Sequence, residues 1–160
     1  YYDPFRNVVG IMINRAAQGK NLVIYGDGKQ KRSFSDVRDC IVAVERIMKS
    51  FRTNLSGQVY NIGPDDNEMS IIQLATLVSQ LSEIYLQFDY YPDRPREVKD
   101  AYCSSDKIRK EFNYNPTTEA KQTIKDMVDW IKPITREFEY HLPVELVTDQ
   151  TPKTWTDKLI

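Results

Sequence analysis

Two arginines combine a suitable side chain with a suitable position for binding a phosphorylated ligand. Arg32 follows the turn Gly26-Asp27-Gly28, and Arg94 lies in the loop after a predicted strand. The guanidinium group is planar and permanently charged, and it donates paired hydrogen bonds to phosphate oxygens. Because an arginine on a surface loop more often forms an ordinary ion pair, position alone leaves both interpretations open.

The sequence offers little for other kinds of chemistry. It contains no Gly-x-Gly-x-x-Gly motif at a strand–helix junction and no Walker-type phosphate loop. His141 is the single histidine, so neither a zinc site nor a Ser/His/Asp triad has marked partners. Asp65 and Asp66 fall in a predicted turn and are interpreted as solvated surface. We therefore expect no catalytic residue, no cofactor-binding residue and no metal ligand in this chain.

Charge and cysteine content limit the kinds of partner and the cellular location that we expect. The 160 residues include 22 basic and 23 acidic side chains, for a net charge of −1. This balance gives no electrostatic argument for nucleic acid or a membrane surface, and no apolar run is long enough to cross a bilayer. Cys40 and Cys103 lack metal-type or redox-type spacing, which favours a reduced, cytoplasmic location. The first residue is not Met, which suggests a piece of a longer protein.

The spacing of apolar residues predicts helices that alternate with strands. A helix that ends at Gly19 precedes a short strand over residues 22–25, and a glycine-containing turn follows. Ser35 or Asp36 is expected to cap a second helix. One face of that helix carries the apolar residues Val37, Ile41, Val44 and Ile47.

The alternation continues through the second half of the chain. Residues 58–63 are predicted to form a second strand, and Ser70 to cap the clearest helix. A third strand over residues 85–91 is followed by a short helix and by another that begins at Thr118. Beyond Pro133 the tail is predicted to be an irregular arm. This order predicts an α/β fold with few strands for its helices, as in part of a larger sheet protein.

Several segments taken together resemble the extended short-chain dehydrogenases/reductases, the family of nucleoside-diphosphate-sugar epimerases and dehydratases. Residues 25–35 are similar to the family's YGDG-x-Q-x-R-x-F stretch, and residues 59–63 to its VYNIG strand. Residues 94–102 are similar to its RPGEVK-x-x-Y loop, and the following helices match in order. Arg6 to Gly10 looks like the helix entry of the UDP-glucose 4-epimerase-like branch. The resemblance covers roughly residues 2–132.

The resemblance implies that the chain is the C-terminal part of a Rossmann-like, NAD(P)-binding extended short-chain dehydrogenase. Residues 1–132 would form the sugar-nucleotide-binding portion and residues 133–160 a C-terminal arm. The glycine-rich NAD loop and the Tyr-x-x-x-Lys pair of the family lie upstream, so NAD would be bound by a missing N-terminal portion. The parent would be an NAD-dependent isomerase or lyase, and this chain alone would be inactive.

The resemblance also implies which residues bind the substrate, a UDP- or dTDP-hexose. Arg32 and Arg94 would grip the diphosphate from opposite sides, and Glu97 would meet the ribose hydroxyls or orient the arginine. The other positions are Asn7 and Val8 for the diphosphate or nucleoside, Val23 and Tyr25 for the base, Phe34 beside the nucleotide and Tyr102 near the sugar.

We expect the parent to be a UDP-hexose 4-epimerase, because residues 6–10 and 94–99 look epimerase-like. A dTDP-glucose 4,6-dehydratase-like enzyme and a non-catalytic nucleotide-sugar-binding or assembly subunit are the alternatives. The macromolecular partner would be a second copy of the parent in a homodimer or a complementing N-terminal chain. Isolated, the chain should self-associate, since the predicted strand near Val59 would leave an uncovered sheet edge.

The sequence departs from the family pattern near the start of the second helix and after the tyrosine strand. Asp36 replaces an aromatic residue, Arg38 replaces the first residue of an acidic pair and leaves Asp39 alone, and Ser104 replaces an aspartate. These changes bring the packing at the helix start into question more than the binding of phosphate.

Overall fold

A computed structural model describes residues 7–63, 65, 68–134, 137, 140 and 147–159. The helices are α1 (Val8–Ala17), α2 (Val37–Met48), α3 (Ile71–Ser82), α4 (Asp106–Phe112), α5 (Ala120–Ile131) and α6 (Lys153–Thr156), and a 3-10 turn spans Lys132–Ile134. The strands are β1 (Leu22–Tyr25), β2 (Lys31–Ser33), β3 (Glu68–Ser70), β4 (Phe88–Tyr91) and β5 (Asp100–Ala101). The predicted mixed α/β composition is confirmed.

The chain divides into two compact units. The first unit takes its described residues from Tyr1–Gln30, Ser70–Lys99 and Ile124–Ile160, and the second from Lys31–Met69 and Asp100–Thr123.

In the first unit, β1 and β4 pair in parallel, from Leu22 opposite Phe88 to Tyr25 opposite Tyr91. Helices α1 and α3 pack against each other beside this pair. The buried apolar side chains include Met12, Ile13, Ala16, Leu22, Val23, Ile24, Leu74, Ala75, Val78, Ile124, Val128 and Ile131. Their spacing at three and four residues in the helices is why the sequence predicted these helical faces.

The helices of the first unit begin and end at local signals. The side chain of Ser70 accepts a hydrogen bond from the Gln73 backbone N–H (3.2 Å), and the Gln73 side chain accepts one from the Ser70 N–H (2.8 Å). This reciprocal capping box satisfies backbone donors that the first turn leaves unpaired. Helix α1 ends before Gly19, whose φ of 68° is the left-handed conformation that favours glycine. Both predicted helices are confirmed.

In the second unit, the strand order is β3-β2-β5, and β2 pairs with β5 in parallel. Helix α2 packs against α4. A small core consists of Ala43, Ile108, Phe112 and Tyr114, and burial raises the pKa of Tyr114 to about 12. This core is smaller than that of the first unit, which leaves the second unit with less apolar burial to stabilise it.

The start of α2 is well satisfied, although the sequence departs there from the family pattern. Asp36 is the N-cap and accepts hydrogen bonds from the Arg38 backbone N–H (2.7 Å) and from Arg38 Nε and Nη2 (both 2.8 Å). Thr123 donates a further hydrogen bond to Asp36 at 2.7 Å. Asp39 accepts from the N–H groups of Thr117 and Thr118, both at 3.1 Å. Asp36 and Arg38 therefore supply polar packing where an aromatic side chain was expected.

The predicted strand over residues 58–63 is wrong, because these residues have no regular secondary structure and Val59 is 76% exposed. A strand exists only with a hydrogen-bonded neighbour, and no described residue serves as one for this segment. The N-terminal part of the apolar face of α2 is also exposed: Val37 is 67% and Ile41 61% exposed, whereas Ile47 packs against the small core. Amphipathic periodicity identified the helix, but it could not identify what covers the helix.

The other differences concern boundaries and the tail. The third predicted strand begins at Phe88 instead of Tyr85, and α5 begins at Ala120, two residues after Thr118. The prediction of an irregular tail is wrong at its end, where α6 forms.

The two aspartates of the predicted turn have different outcomes. Asp65 is exposed, in agreement with the surface interpretation, and it forms an ion pair with Arg109 at 2.5 Å and accepts a hydrogen bond from the Ser105 N–H at 3.3 Å. Asp66 lies outside the described residues, as do Arg6 and His141.

Candidate functional site

Arg94 is a predicted site residue whose side chain contacts three others. Its Nε lies 3.4 Å from Oε2 of Glu97. Its Cζ lies 5.4 Å from the ring centroid of Tyr25 and 5.3 Å from that of Trp155. The negative faces of aromatic rings attract a guanidinium, so these contacts limit the orientations that Arg94 can adopt. The side chain remains about one-third exposed, with a relative accessibility of 37%.

The loop after β4 brings Glu97 to Arg94. The Glu97 backbone N–H donates a hydrogen bond to the Arg94 carbonyl at 3.2 Å, and Arg96 between them has a φ of 58°. Residues 94–97 thus form a four-residue turn, and the carboxylate of Glu97 meets the guanidinium. Of the two roles predicted for Glu97, orientation of the arginine agrees with this contact.

Tyr25 ends β1, where its ring lies 6.4 Å from that of Tyr91, centroid to centroid. Its hydroxyl shares a hydrogen bond with the hydroxyl of Thr154. Burial is the main cause that raises the pKa of Tyr25 above its ordinary value. The phenol therefore stays neutral at physiological pH, as a ring beside a cation and a hydroxyl beside a buried threonine.

Three other predicted residues of the first unit have different surroundings. Asn7 is exposed at the N-cap of α1, where its Oδ1 accepts a hydrogen bond from the Gly10 N–H at 3.4 Å. Val8, the first residue of α1, is half-buried. Val23 is buried within β1, so its side chain belongs to the core of the first unit.

The remaining three predicted residues lie in the second unit. Arg32 is in β2, its Cα opposite that of Ala101 in β5, and its Nη1 donates to the Lys31 carbonyl at 2.6 Å. Tyr102 follows Ala101 and is 72% exposed, whereas Phe34, directly after β2, is half-buried. The structure thus brings Tyr25, Arg94 and Glu97 into contact. The predicted joint grip of Arg32 and Arg94 on a diphosphate stays a prediction.

Arg94, Glu97, Tyr25, Thr154 and Trp155 are called the Arg94 cluster below. Sequence reasoning missed two of its residues, Thr154 and Trp155, both in α6. Thr154 is 2% exposed and contacts Tyr25, and Trp155 contacts Arg94. No local pattern marks them, because the contacts join the tail to segments far away in sequence. A tryptophan in a Pro- and Thr-rich tail was the one available signal, since large aromatic side chains bury much apolar surface.

The turn after β1 does not have the form of a dinucleotide site. In such a site, a glycine-rich turn leads from a strand into a helix whose N-terminus receives the pyrophosphate. Here the Gly26–Gly28 turn after β1 leads instead into β2, which begins at Lys31. Among the described residues, no group of three or more His, Cys, Asp or Glu side chains could hold a metal ion.

Two cavities among the described residues lie elsewhere. One is lined by residues of α2 and α4, including Arg46 and Phe112, and the other by Ile13 and Val128 among others. Neither includes a predicted site residue. In the same part of the chain, no helix combines the length and apolar character needed to cross a membrane.

Comparison with protein families gives a match over most of the chain. The profile of a family described as GDP-mannose 4,6-dehydratase matches residues 4–127. A UDP-N-acetyl-alpha-D-glucosaminuronate decarboxylase of Bacillus cytotoxicus is 29% identical over 140 residues, which are 84% of this chain and 42% of that protein. A dTDP-glucose 4,6-dehydratase of Shigella flexneri is 27% identical over an alignment of 167 residues, gaps included, that covers 98% of this chain and 44% of that protein.

Solved structures are similar in the same way. A UDP-glucuronic acid 4-epimerase of Bacillus cereus, in complex with UDP-glucuronic acid and NAD, superposes with a TM-score of 0.73 at 25% identity. The match covers 82% of this chain and 41% of the epimerase. A UDP-glucose 4-epimerase of Thermotoga maritima, 23% identical with a TM-score of 0.74, is covered to 42% and shows a common fold. This chain thus spans less than half the length of these relatives.

Proposed function

Because this chain belongs to the GDP-mannose 4,6-dehydratase family of extended short-chain dehydrogenases/reductases, the nucleotide-sugar epimerases and dehydratases, we propose that it is the C-terminal, sugar-nucleotide-binding part of such an enzyme. One observation carries the proposal. Arg94, in the loop that resembles the family's RPGEVK segment, is oriented by Glu97 and by the rings of Tyr25 and Trp155. An oriented, partly exposed arginine is suited to bind a diphosphate.

The chemistry of Arg94 supports this role. A guanidinium has five N–H donors, and the contact with Glu97 uses Nε, so the two terminal nitrogens can donate to phosphate oxygens. Arg32 is proposed as the second cation of the diphosphate site. Asn7 and Val8 are proposed to contact the diphosphate or nucleoside, and Tyr25 to line the base together with the backbone of Val23. Phe34 and Tyr102 are proposed to lie beside the nucleotide and near the sugar.

We propose that this chain binds and positions substrate while another portion of the protein performs the chemistry. Binding energy from the diphosphate and nucleoside would hold the hexose in the reactive orientation. NAD would be bound outside this chain, because the turn after β1 does not lead into a helix. This chain alone would then be inactive.

For the reaction we favour 4-epimerisation of a UDP-hexose. The resemblance of residues 6–10 and 94–99 to epimerase segments supports it, as does the similarity to the Bacillus cereus epimerase. The similarity to a dTDP-glucose 4,6-dehydratase over 98% of the chain supports dehydration as the second candidate. A non-catalytic binding subunit is the third, since fold does not determine reaction.

One assay separates these three candidates. The complete protein encoded by the gene is incubated with NAD and, separately, with UDP-glucose, UDP-glucuronic acid and dTDP-glucose, and the products are analysed by mass spectrometry and NMR. Epimerisation leaves the mass unchanged and inverts one stereocentre, whereas dehydration removes one water. Binding without turnover would indicate the non-catalytic subunit. Absence of both binding and turnover would refute the proposal.

The exposed apolar surface of the second unit supports a macromolecular partner. Ile41 on α2 is 61% exposed, and Val59, in a segment that pairs with no described strand, is 76% exposed. We propose that a complementing N-terminal portion, or a second copy in a homodimer of the parent, covers them. Cys40 and Cys103 are free thiols, which supports the proposal that the protein works in the cytoplasm.

A further inference from the structure

The tail helix α6 is docked onto the first unit through specific contacts. Thr154 is 2% exposed, and its hydroxyl shares a hydrogen bond with that of Tyr25. The next residue, Trp155, places its ring beneath the guanidinium of Arg94 at 5.3 Å. Tyr25 connects these two contacts, because it binds Thr154 and its own ring lies 5.4 Å from the guanidinium of Arg94. The tail, Tyr25 and Arg94 thus form one connected cluster.

We propose that Trp155 is a positioning residue of the diphosphate subsite and that α6 is part of this subsite. The inference rests on the proposed function, because it assigns Trp155 a role through Arg94. In this arrangement Tyr25 and Trp155 fix the guanidinium before a ligand arrives. The ligand class is a nucleoside diphosphate or its sugar conjugate.

The chemistry of the two rings explains how an aromatic contact assists binding without replacing the ligand. The rings of Tyr25 and Trp155, with centroids 5.4 and 5.3 Å from Cζ of Arg94, attract the cation but offer it no anionic acceptor. The guanidinium therefore keeps its full charge and N–H donors for a phosphate. A long, flexible arginine loses conformational entropy when it binds an anion, and prior orientation reduces that loss.

The chemistry of the tail contact favours positioning over blockage. A segment that inhibits by occupying the site would present an anion in place of the diphosphate. Within the described residues, α6 presents the ring of Trp155 to Arg94, and the carboxylate paired with Arg94 is that of Glu97 in its own loop. The tail therefore contributes an aromatic surface and leaves the anion position to a ligand.

Calorimetric titration of UDP into the complete protein tests this inference. The variants are W155A, W155F, R94A and the double variant R94A/W155A, with W130A as the matched control because Trp130 is a half-exposed tryptophan in α5. W155A should raise the Kd about two- to tenfold, the range that a partly exposed cation–π contact and lost orientation give. W155F, which keeps a ring, should recover most of the affinity, and W130A should bind like the wild type.

The double variant distinguishes positioning from a general structural role. If Trp155 acts through Arg94, W155A should have little further effect in the R94A background, since the two effects are coupled. If W155A lowers the affinity for UDP equally in the wild-type and R94A backgrounds, the inference is overturned. It is also overturned if W155A binds UDP like the wild type while R94A binds it more weakly. Tighter binding by W155A would show that the tail blocks the site and would also overturn it. Wild-type protein that does not bind UDP would refute the proposed function, and with it this inference.

Discussion

The hydroxyl groups of Tyr25 and Thr154 share a hydrogen bond, although 129 positions of sequence separate the two residues. This bond joins the end of β1 to α6 and brings the neighbouring Trp155 to Arg94. Thr154 is buried and Tyr25 half-buried, so the shared hydrogen bond satisfies hydroxyl groups that burial removes from much of the solvent. The end of the tail is therefore a structural part of the Arg94 cluster.

The first prediction concerns the contribution of Asp36 to stability, because Asp36 caps α2 and also binds Arg38 and Thr123. Asp36→Asn keeps a good capping side chain but removes the charge. We expect the free energy of unfolding of the complete protein to fall by about 1–2 kcal/mol at pH 7, a value limited by the exposure of Arg38. Urea denaturation measures the change. Asp149→Asn, in the exposed tail, is the control and should have no effect.

The stability difference between the wild type and Asp36→Asn should also depend on pH. Hydrogen bonds from Arg38, and less strongly from Thr123, hold the pKa of Asp36 well below its usual range. A carboxylate whose pKa is lower in the folded state stabilises the protein above its unfolded pKa and loses this contribution as the pH falls. The stability gap between wild type and D36N should stay constant down to about pH 5 and narrow below about pH 4. A gap that widens on acidification would contradict this assignment.

Gly28, in the turn after β1, can be tested by substitution with alanine, and Gly19, after α1, serves as the matched control. Both have positive φ angles, 70° and 68°. A Cβ on Gly28 would lie 2.9 Å from Ile24 Cγ2 and 3.1 Å from Ile72 Cβ, whereas one on Gly19 would meet nothing within 4 Å. Gly19→Ala should cost about 1 kcal/mol from backbone strain alone. Gly28→Ala should cost at least about 1 kcal/mol more because of crowding, as thermal or urea denaturation can measure.

The exposed face of α2 predicts how the 160-residue chain behaves in isolation. Ile41 and Val37 are more than half exposed on one helical face, which favours association with any apolar surface. The chain should sediment as a self-associating species, and Ile41→Glu should shift it toward monomer. Val98→Glu, at an exposed position of the first unit, is the control and should leave association unchanged. A stable wild-type monomer would contradict the prediction.

Local signals explain what could be predicted from the sequence. The helix after Ser70 was predictable because its capping box lies within four residues, and β1 because its run of apolar residues ends at a glycine turn. Residues 58–63 were mispredicted because their β-type pattern describes a preference, while a strand also requires a neighbour. Periodicity alone could not show that Ile41 is exposed, since it says nothing of what covers a helix.

The candidate site was predictable only in part for the same reason. Arg94 and Tyr25 were identified through segments of the sequence that resemble a family. The contact between Arg94 and Glu97 spans three residues of a loop and was anticipated as one of two roles. Thr154 and Trp155 were missed, because their contacts depend on how the tail folds back and no local spacing encodes them.

The most direct test of the account is calorimetric titration of UDP into the complete protein and into its R94A and R32A variants. R52A is the control, since Arg52 contacts Glu111 and Phe112, neither of which is a predicted site residue. The wild type and R52A should bind equally. R94A and R32A should each weaken binding by about 1.5–3 kcal/mol, as expected for hydrogen bonds between charged groups. If either variant binds as tightly as the wild type, the phosphate role of that arginine is wrong. If the folded wild type binds no UDP, the central claim is wrong.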